Sequence, residues 1–486
     1  MTKYFGTDGI RSKTGDWPLV PEFVLKLGMA AGETARRNSR WSTILVGRDT
    51  RHSGMMLQQA LSAGLLASGV QVIDLGVIPT PGVSWLVRHL NADAGVVISA
   101  SHNPVDQNGI KIFGNDGKKL PEDVEEKIED LVDSSIANSM EALKIHRPLG
   151  ELLNGESYRE RYLRSLLDEH PHLDMRKLKI IVDCANGAAS FIAPVVLSRL
   201  GAKVVTINAS PDGMNINQNA GSEHVRRFPQ DMYQMVLQHS ADFGLAFDGD
   251  ADRVVFVDEN GTLIDGDHML GFLSHYFDTQ GSLLCRTVVT TIMRNSGLKS
   301  HLAESGILLV ETPVGDKYVT DQIFHLRELD QFSGKFGIGG EQAGHILIVD
   351  NDHPTGDGLR TAIFVIRAYL ESELASMARF AEGVGKTPQI IASAHVGSGP
   401  RYSKFELAGI EEDFFSGFPG LIRVNFRYSG TEPLFRVMLE SDGQLSETEL
   451  AHIATRICLQ AQEYSGTNGG IIDILNTSKG GVIPAG

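Results

Sequence analysis

Three times along this chain a short apolar run gives way to a turn of Gly, Asp or Asn, then to an amphipathic stretch, then to a second apolar run. The first case runs from Thr43–Val46 through Gly47-Arg48-Asp49 and the helically spaced Leu57, Leu61 and Leu65 to Val70–Leu75. The second runs from Ile180–Val182 through Asp183-Cys184-Ala185-Asn186-Gly187 and a helical stretch ending at Leu200 to Lys203–Ile207. The third begins at Thr287–Ile292, passes Asn295-Ser296-Gly297 and returns at Ile307–Val310. Each is a βαβ signal, because parallel strands need a crossover that a helix usually supplies. The pattern predicts three α/β domains with mostly parallel, buried sheets. Two apolar runs near the end, Leu421–Phe426 and Phe435–Glu440, instead flank a short turn, and a capping box at Ser446 and Glu449 opens a helix with Leu450, Ile453 and Ile457 on one face. That segment predicts a smaller α+β domain. At about 150 residues per domain, the 486 residues suit three to four units. Pro and Gly near His146–Ser157 and Gly383–Pro400 mark candidate linkers. The expected domains are 1–155, 156–256, 257–378 and 379–486. The last twenty or so residues, rich in Gly, Asn and Ser, carry no assignment.

Charge narrows the partners. With 44 Lys and Arg against 60 Asp and Glu, the formal charge is −16, and no basic block interrupts it, which argues against a nucleic-acid partner. An anionic small substrate stays open if cations gather in one cleft. No apolar run approaches the ~18 residues a membrane span needs, and the opening residues lack a signal peptide's apolar core. A cytoplasmic protein without membrane association is expected. Cys184, Cys285 and Cys458 are far apart and form no Cys-x-x-Cys pair, so buried free thiols are expected rather than disulfides or zinc.

The chemistry-bearing segment with the clearest physical logic is Asp248-Gly249-Asp250-Ala251-Asp252-Arg253, between the expected strands Ala241–Phe247 and Val254–Val257. Three carboxylates at alternate positions of an irregular loop can converge on one hard divalent cation, and their repulsion calls for one. An EF-hand is excluded locally, because Arg253 stands where that calcium loop turns on Gly and strands flank the segment. Magnesium, usually held by few carboxylates together with phosphate oxygens, is preferred, and it predicts a phosphate elsewhere in the chain. A solvated acidic turn is the alternative.

A second loop, Ser99-Ala100-Ser101-His102-Asn103-Pro104, follows the apolar run Ala94–Ile98 and precedes Asn108-Gly109-Ile110-Lys111. Alone it reads equally well as a plain turn. There is no Gly-x-Ser-x-Gly elbow and no Walker loop. Together with Gly340-Glu341-Gln342-Ala343-Gly344-His345 and Arg427-Tyr428-Ser429-Gly430-Thr431-Glu432-Pro433, however, the serine and acidic loops form an ordered set that resembles the α-D-phosphohexomutase superfamily over essentially the whole chain. The opening Phe5-Gly6-Thr7-Asp8-Gly9-Ile10-Arg11 is most similar to its bacterial phosphoglucosamine mutase branch.

The resemblance implies four domains around a central cleft and an intramolecular phosphotransferase. It would interconvert hexose 6-phosphate and 1-phosphate through a phosphoserine and a 1,6-bisphosphate, most nearly glucosamine 6-phosphate and glucosamine 1-phosphate. Ser101 matches the phosphoryl carrier, which with Asp248, Asp250 and Asp252 would hold Mg2+. Arg11, His102, Lys111 and Arg253 match residues around the reacting phosphate, with Lys111 or His102 as general base. Glu341 and His345 belong to the sugar-reading loop, and Arg427, Ser429, Gly430, Thr431 and Arg436 to the grip on the distal phosphate. A hexose 1,6-bisphosphate is the expected activator and a phosphosugar the expected partner; the oligomeric state stays open, a homodimer included.

Three positions depart from the branch pattern: Ser12 for Gly, Ala343 for Ser, and Lys317 for Arg in Thr312-Pro313-Val314-Gly315-Asp316-Lys317-Tyr318. Loss of the Ala343 hydroxyl puts sugar choice in question, whereas Gln342, where glucose and mannose mutases carry Met, points to glucosamine. The rivals are a glucose or mannose phosphate mutase and a non-catalytic sugar-phosphate-binding protein of the same fold.

Overall fold

The computed structural model describes residues 2–485 apart from 7, 36–41, 138–147, 331–333, 373, 375, 398, 430–432 and 468. Four sheets follow one another along the chain. The first holds β1 (Ile10–Lys13), β2 (Thr43–Arg48), β3 (Gln71–Val77), β4 (Ala94–Ile98), β5 (Gln107–Gly114) and β6 (Leu152–Asn154) in the order β1-β5-β4-β2-β3-β6. The second holds β7 (Lys179–Asp183), β8 (Lys203–Ile207), β9 (Phe243–Phe247), β10 (Val254–Val257) and β11 (Leu263–Ile264) in the order β11-β10-β9-β7-β8. The third holds β12 (Leu283–Thr291), β13 (Leu308–Thr312), β14 (Phe336–Gly340) and β15 (Ile346–Val349) in the order β13-β12-β14-β15. The fourth is β17-β18-β16-β19-β20, with β16 at Gln389–His395, β17 at Leu421–Tyr428, β18 at Leu434–Ser441, β19 at Ile472–Asn476 and β20 at Val482–Ile483.

The first three sheets are parallel at their centres and turn antiparallel on one side, where β4 pairs with β5, β9 with β10 and β14 with β15. β4, β9 and β10 are buried at every position, as strands covered on both faces require. Each reversal is a hairpin whose loop sits at the carboxyl end of a parallel strand, where open α/β sheets bind ligands. The serine loop, the acidic loop and the Glu341–His345 loop occupy these three hairpins, and the β17–β18 hairpin presents the fourth motif.

One apolar core runs through the first three sheets, joining Leu45, Leu245 and Ile338, while Val437, Leu450 and Ile474 belong to a separate core in the fourth. Polar contacts dock the fourth sheet on the rest. Asn295 Nδ2 donates to Thr387 O (2.9 Å), and Arg227 grips Asp473 with both terminal nitrogens (2.6 Å each). The final residues, unassigned from sequence, form the β19–β20 hairpin on the free edge of β16. Cys184 and Cys458 are buried as expected, but Cys285 is only half-buried, because it sits in a left-handed irregularity within β12. Among the described residues no helix is long and apolar enough to cross a membrane.

Candidate active site

Ser101 stands three residues beyond the buried end of β4 and is itself fully buried, with a left-handed φ of 53°. Such a conformation is uncommon for a residue with a side chain and needs surrounding constraints. Ser99 Oγ accepts from the Ser101 N–H (2.9 Å) and donates to Asp49 Oδ2 (2.7 Å). Asp49 in turn receives Arg51 Nε at 2.9 Å, and the fully buried Arg51 guanidinium also donates to Ser101 O (3.0 Å) and Asn103 O (2.8 Å). So fixed, Ser101 Oγ donates to Asp248 Oδ2 at 2.5 Å, bringing the serine and acidic loops together. His102 Nδ1 lies 3.4 Å from the same Oγ. Burial, with Arg253 and Arg11 nearby, holds this imidazole well below the usual histidine range, so it is neutral at pH 7.

The three aspartates each offer an oxygen, and the three oxygens lie within 4.8 Å of one another. Asp250 Oδ2 accepts from Thr80 Oγ1 (2.6 Å) and Lys111 Nζ (2.9 Å), and Asp252 Oδ2 from Lys111 at 3.2 Å. Asp250 Oδ1 is buried with no hydrogen-bond partner among the described residues. Burial and the flanking Asp252 and Asp250 push the Asp248 carboxyl well above its usual range, whereas for Asp252 the burial effect is outweighed by Lys111 and His345, which hold it well below. An all-oxygen set with crowded charge and an orphaned carboxylate oxygen fits a hard divalent cation. Gly249 allows the approach, since a Cβ there would sit 2.5 Å from Ser101 O.

Around this centre runs a closed ring of charge that the sequence reading does not single out. Lys111 Nζ contacts Asp8 Oδ2 (3.2 Å); Asp8 also pairs with Arg11 and Lys119; and Lys119 donates to both oxygens of Asp316 (2.8 and 2.6 Å). His345 closes the ring, with Nε2 at 3.6 Å from Asp316 Oδ2 and Nδ1 at 3.5 Å from Asp252 Oδ1. Burial opposes the charge on Lys111 and on His345, yet the facing carboxylates prevail and raise both. Arg11 Nη1 reaches Asn103 Oδ1 at 3.3 Å, and the Arg253 N–H caps Asp248 Oδ1 at 3.1 Å.

The half-buried Glu341 accepts from the Gly315 N–H at 3.3 Å. Gln342, the residue that in the sequence points to glucosamine, turns away from the cleft loop. Its buried Nε2 donates to Asp267 Oδ2 and to Gln389 Oε1 of β16, both at 2.9 Å, tying the third sheet's loop to the fourth domain. Side chains of adjacent residues diverge, and this one turns into the domain interface. Arg427 and Arg436 stand directly opposite each other on β17 and β18, where like charges repel and an anion can be shared. Burial and Arg436 lower the Arg427 pKa to about 10, and its Nε is buried without a partner among the described residues. The buried Ser429 N–H donates to Leu434 O at 2.8 Å. Gly430 and Thr431 lie outside the described residues.

Comparison with known proteins places the chain in a family. Residues 2–138, 160–261 and 265–384 match, in turn, the phosphoglucomutase/phosphomannomutase alpha/beta/alpha domains I, II and III. Phosphoglucosamine mutase of Brucella anthropi is 42% identical over 90% of this chain and 94% of its own length. That of Serratia proteamaculans is 43% identical over 93% and 97%. Among solved structures, a phosphoglucomutase/phosphomannomutase family protein of Burkholderia thailandensis superimposes with TM-score 0.73 at 22% identity, covering 97% of this chain and 100% of that one. Aspergillus fumigatus N-acetylphosphoglucosamine mutase, solved with GlcNAc-6P and magnesium, gives TM-score 0.63 at 16% identity over 96% of each chain. With three consecutive domain matches and relatives above 40% identity along nearly its full length, the chain belongs to the phosphoglucomutase/phosphomannomutase family.

Proposed function

We propose that the protein is a phosphohexomutase that interconverts glucosamine 6-phosphate and glucosamine 1-phosphate through phospho-Ser101. The observation that carries the reading is the buried Ser101 Oγ set 2.5 Å from Asp248 Oδ2. A binding protein has no use for a hydroxyl so placed. The choice of glucosamine rests on the names of the relatives near 40% identity, since Gln342 faces away from the sugar.

Phosphoserine carries about −1.5 to −2 charges, which could not approach three carboxylates unaided. Asp248, Asp250 and Asp252 would hold Mg2+, which when bound draws charge from the phosphoryl group. Lys111, kept as an ammonium by Asp250, Asp8 and Asp252, serves as charge beside the transferring group rather than as a base. The phosphoryl group passes from Ser101 Oγ to the sugar hydroxyl. The P–Oγ bond breaks, the P–O(sugar) bond forms, and the hydroxyl proton ends on Oγ. The neutral His102 Nδ1, 3.4 Å from that oxygen, is suited to carry the proton to and from it. Arg427, Arg436 and Ser429 grip the phosphate that does not react, with Glu341 reading sugar hydroxyls. After the bisphosphate turns over in the cleft, the second transfer returns a phosphoryl group to Ser101, and a hexose 1,6-bisphosphate supplied from outside would re-prime an enzyme that has lost it.

Intact-mass measurement should find one phosphate on the purified protein, absent from Ser101→Ala, and that variant should have no mutase turnover. Retained turnover in Ser101→Ala would overturn the scheme. Assays of glucosamine, glucose and mannose 6-phosphates side by side test the sugar, and a better substrate than the amino sugar would reassign it.

A further inference from the structure

The segment Ser210–Asn219 of the second domain reaches back to the serine loop. Its Gly213 O accepts from the His52 N–H at 2.8 Å, next to the turn that supplies Asp49 and Arg51. Asn217, left-handed at φ 58° and anchored by its own N–H on Ala185 O (2.9 Å), donates Nδ2 to Ser101 O (2.8 Å) and to Asn103 O (3.0 Å). These are the same two carbonyls that Arg51 holds from the first domain. Arg51 secures the loop within its own domain. Asn217 instead ties it to the domain bearing Asp248, Asp250 and Asp252; Thr80 and Lys111 hold the acidic loop from the first domain, and the Asn217 amide is the tie that acts on the serine loop's own backbone. The register of the two loops matters because the charge on Ser101 Oγ changes at each transfer, and a left-handed serine freed of restraint returns toward ordinary backbone conformations.

We infer that Asn217 is a positioning residue that holds Ser101 Oγ in register with the acidic loop across the boundary of the first two domains. It acts through the Ser101 and Asn103 carbonyls to which its amide donates. The inference rests on the reading of Ser101 as the phosphoryl carrier.

The test uses the full-length protein with two substitutions. Asn217→Gly keeps a left-handed backbone at no steric cost and removes only the amide, whereas Asn217→Ala adds backbone strain. Asn217→Gly should lower kcat about tenfold to a hundredfold, the scale of a small misplacement of reacting atoms, with KM for the sugar phosphate unchanged. Followed by intact mass, its phospho-Ser101 should also lose phosphate to water at an altered rate. Asn217→Ala should match it in kcat but melt lower. An Asn217→Gly protein with wild-type kcat and phosphoserine lifetime would overturn the inference, as would a loss of kcat accompanied by an equal loss of substrate affinity and a lowered Tm. Ser101→Ala run alongside separates the two readings. If it is inactive while Asn217→Gly is normal, only the role of Asn217 falls; if it retains turnover, the phosphoserine reading falls first.

Discussion

Ser101 Oγ and Asp248 Oδ2 form a 2.5 Å hydrogen bond across 147 residues of sequence and two sheets. The contact follows from a repeated architectural device. β4–β5 and β9–β10 are both antiparallel reversals at the carboxyl ends of parallel strands, and the two domains share one apolar core. The core fixes the sheets, the sheets aim the hairpins, and the hairpin loops deliver a hydroxyl and a carboxylate to the same point.

A pH dependence follows. Burial, Asp252 and Asp250 raise the folded pKa of Asp248 above its unfolded value. A carboxyl shifted upward stabilises the fold below its unfolded pKa of about 4, and that contribution is lost as the pH rises through the folded pKa. Metal-free protein should therefore lose Tm with rising pH more steeply than Asp248→Asn, and Mg2+ should restore Tm in the wild type by binding the folded site. Asp252 is shifted in the opposite direction, so the steeper slope of the wild type reports the carboxyl that Asp248→Asn removes. Thermal unfolding across this range, with EDTA and with Mg2+, checks the expectation. Equal slopes in both proteins would refute it.

Lys119 bridges Asp8 of the first domain and Asp316 of the third. Removing the ammonium leaves two largely buried carboxylates facing each other, so Lys119→Met should destabilise by about 2 kcal/mol or more. Asp316→Asn should partly rescue it in a double-mutant cycle measured by denaturant unfolding. Additive losses would show that the ring does not act as a unit.

The legible parts of the molecule are those whose meaning lies within a few adjacent residues. Asp248-Gly249-Asp250-Ala251-Asp252 announces a cation site by charge crowding alone, and Ser446 with Glu449 announces the cap of the helix Glu447–Tyr464. Arg51, Lys119, Asn217 and Asp316 are unreadable locally, because partners are supplied by other domains or by a backbone turned to face them, and Asp8 because Lys111 and Lys119 lie far along the chain from it. Gln342 points to the right branch, but its position is not legible from its neighbours. It stands between two cleft-loop residues, but its side chain finds Asp267 and Gln389 on the far side. β20 is a two-residue strand, too short to show any periodicity.

The placement of Gln342 makes a substitution there a test of stability rather than of substrate choice. Gln342→Met removes the donor to Asp267 and leaves Gln389 Oε1 with one partner fewer inside the domain interface, a loss of about 1–3 kcal/mol for buried polar groups left unsatisfied. The ratio of kcat/KM between glucosamine 6-phosphate and glucose 6-phosphate should be unchanged. Ala343→Ser, in contrast, should lower KM for the sugar phosphate, since a hydroxyl there adds a contact of about 0.5–1.5 kcal/mol. A switch of preference in Gln342→Met with unaltered Tm would reverse this assignment.

Arg427 and Arg436 are cross-strand neighbours whose like charges raise each other's energy. Burial and this neighbour already bring Arg427 down to about 10. An anion placed between them should recover that energy, so inorganic phosphate or sulfate should raise the Tm of the wild type and act less at high ionic strength. Arg427→Ala removes the repulsion and half of the grip together. Its Tm in phosphate-free buffer should hold or rise, its response to phosphate should largely vanish, and its KM for the sugar phosphate should increase about tenfold or more, the scale of one lost charged hydrogen bond. Phosphate on Ser101, read by intact mass, should stay at the wild-type level, because the fourth domain does not hold the serine. A normal KM together with an undiminished phosphate response would show that the anion is gripped elsewhere.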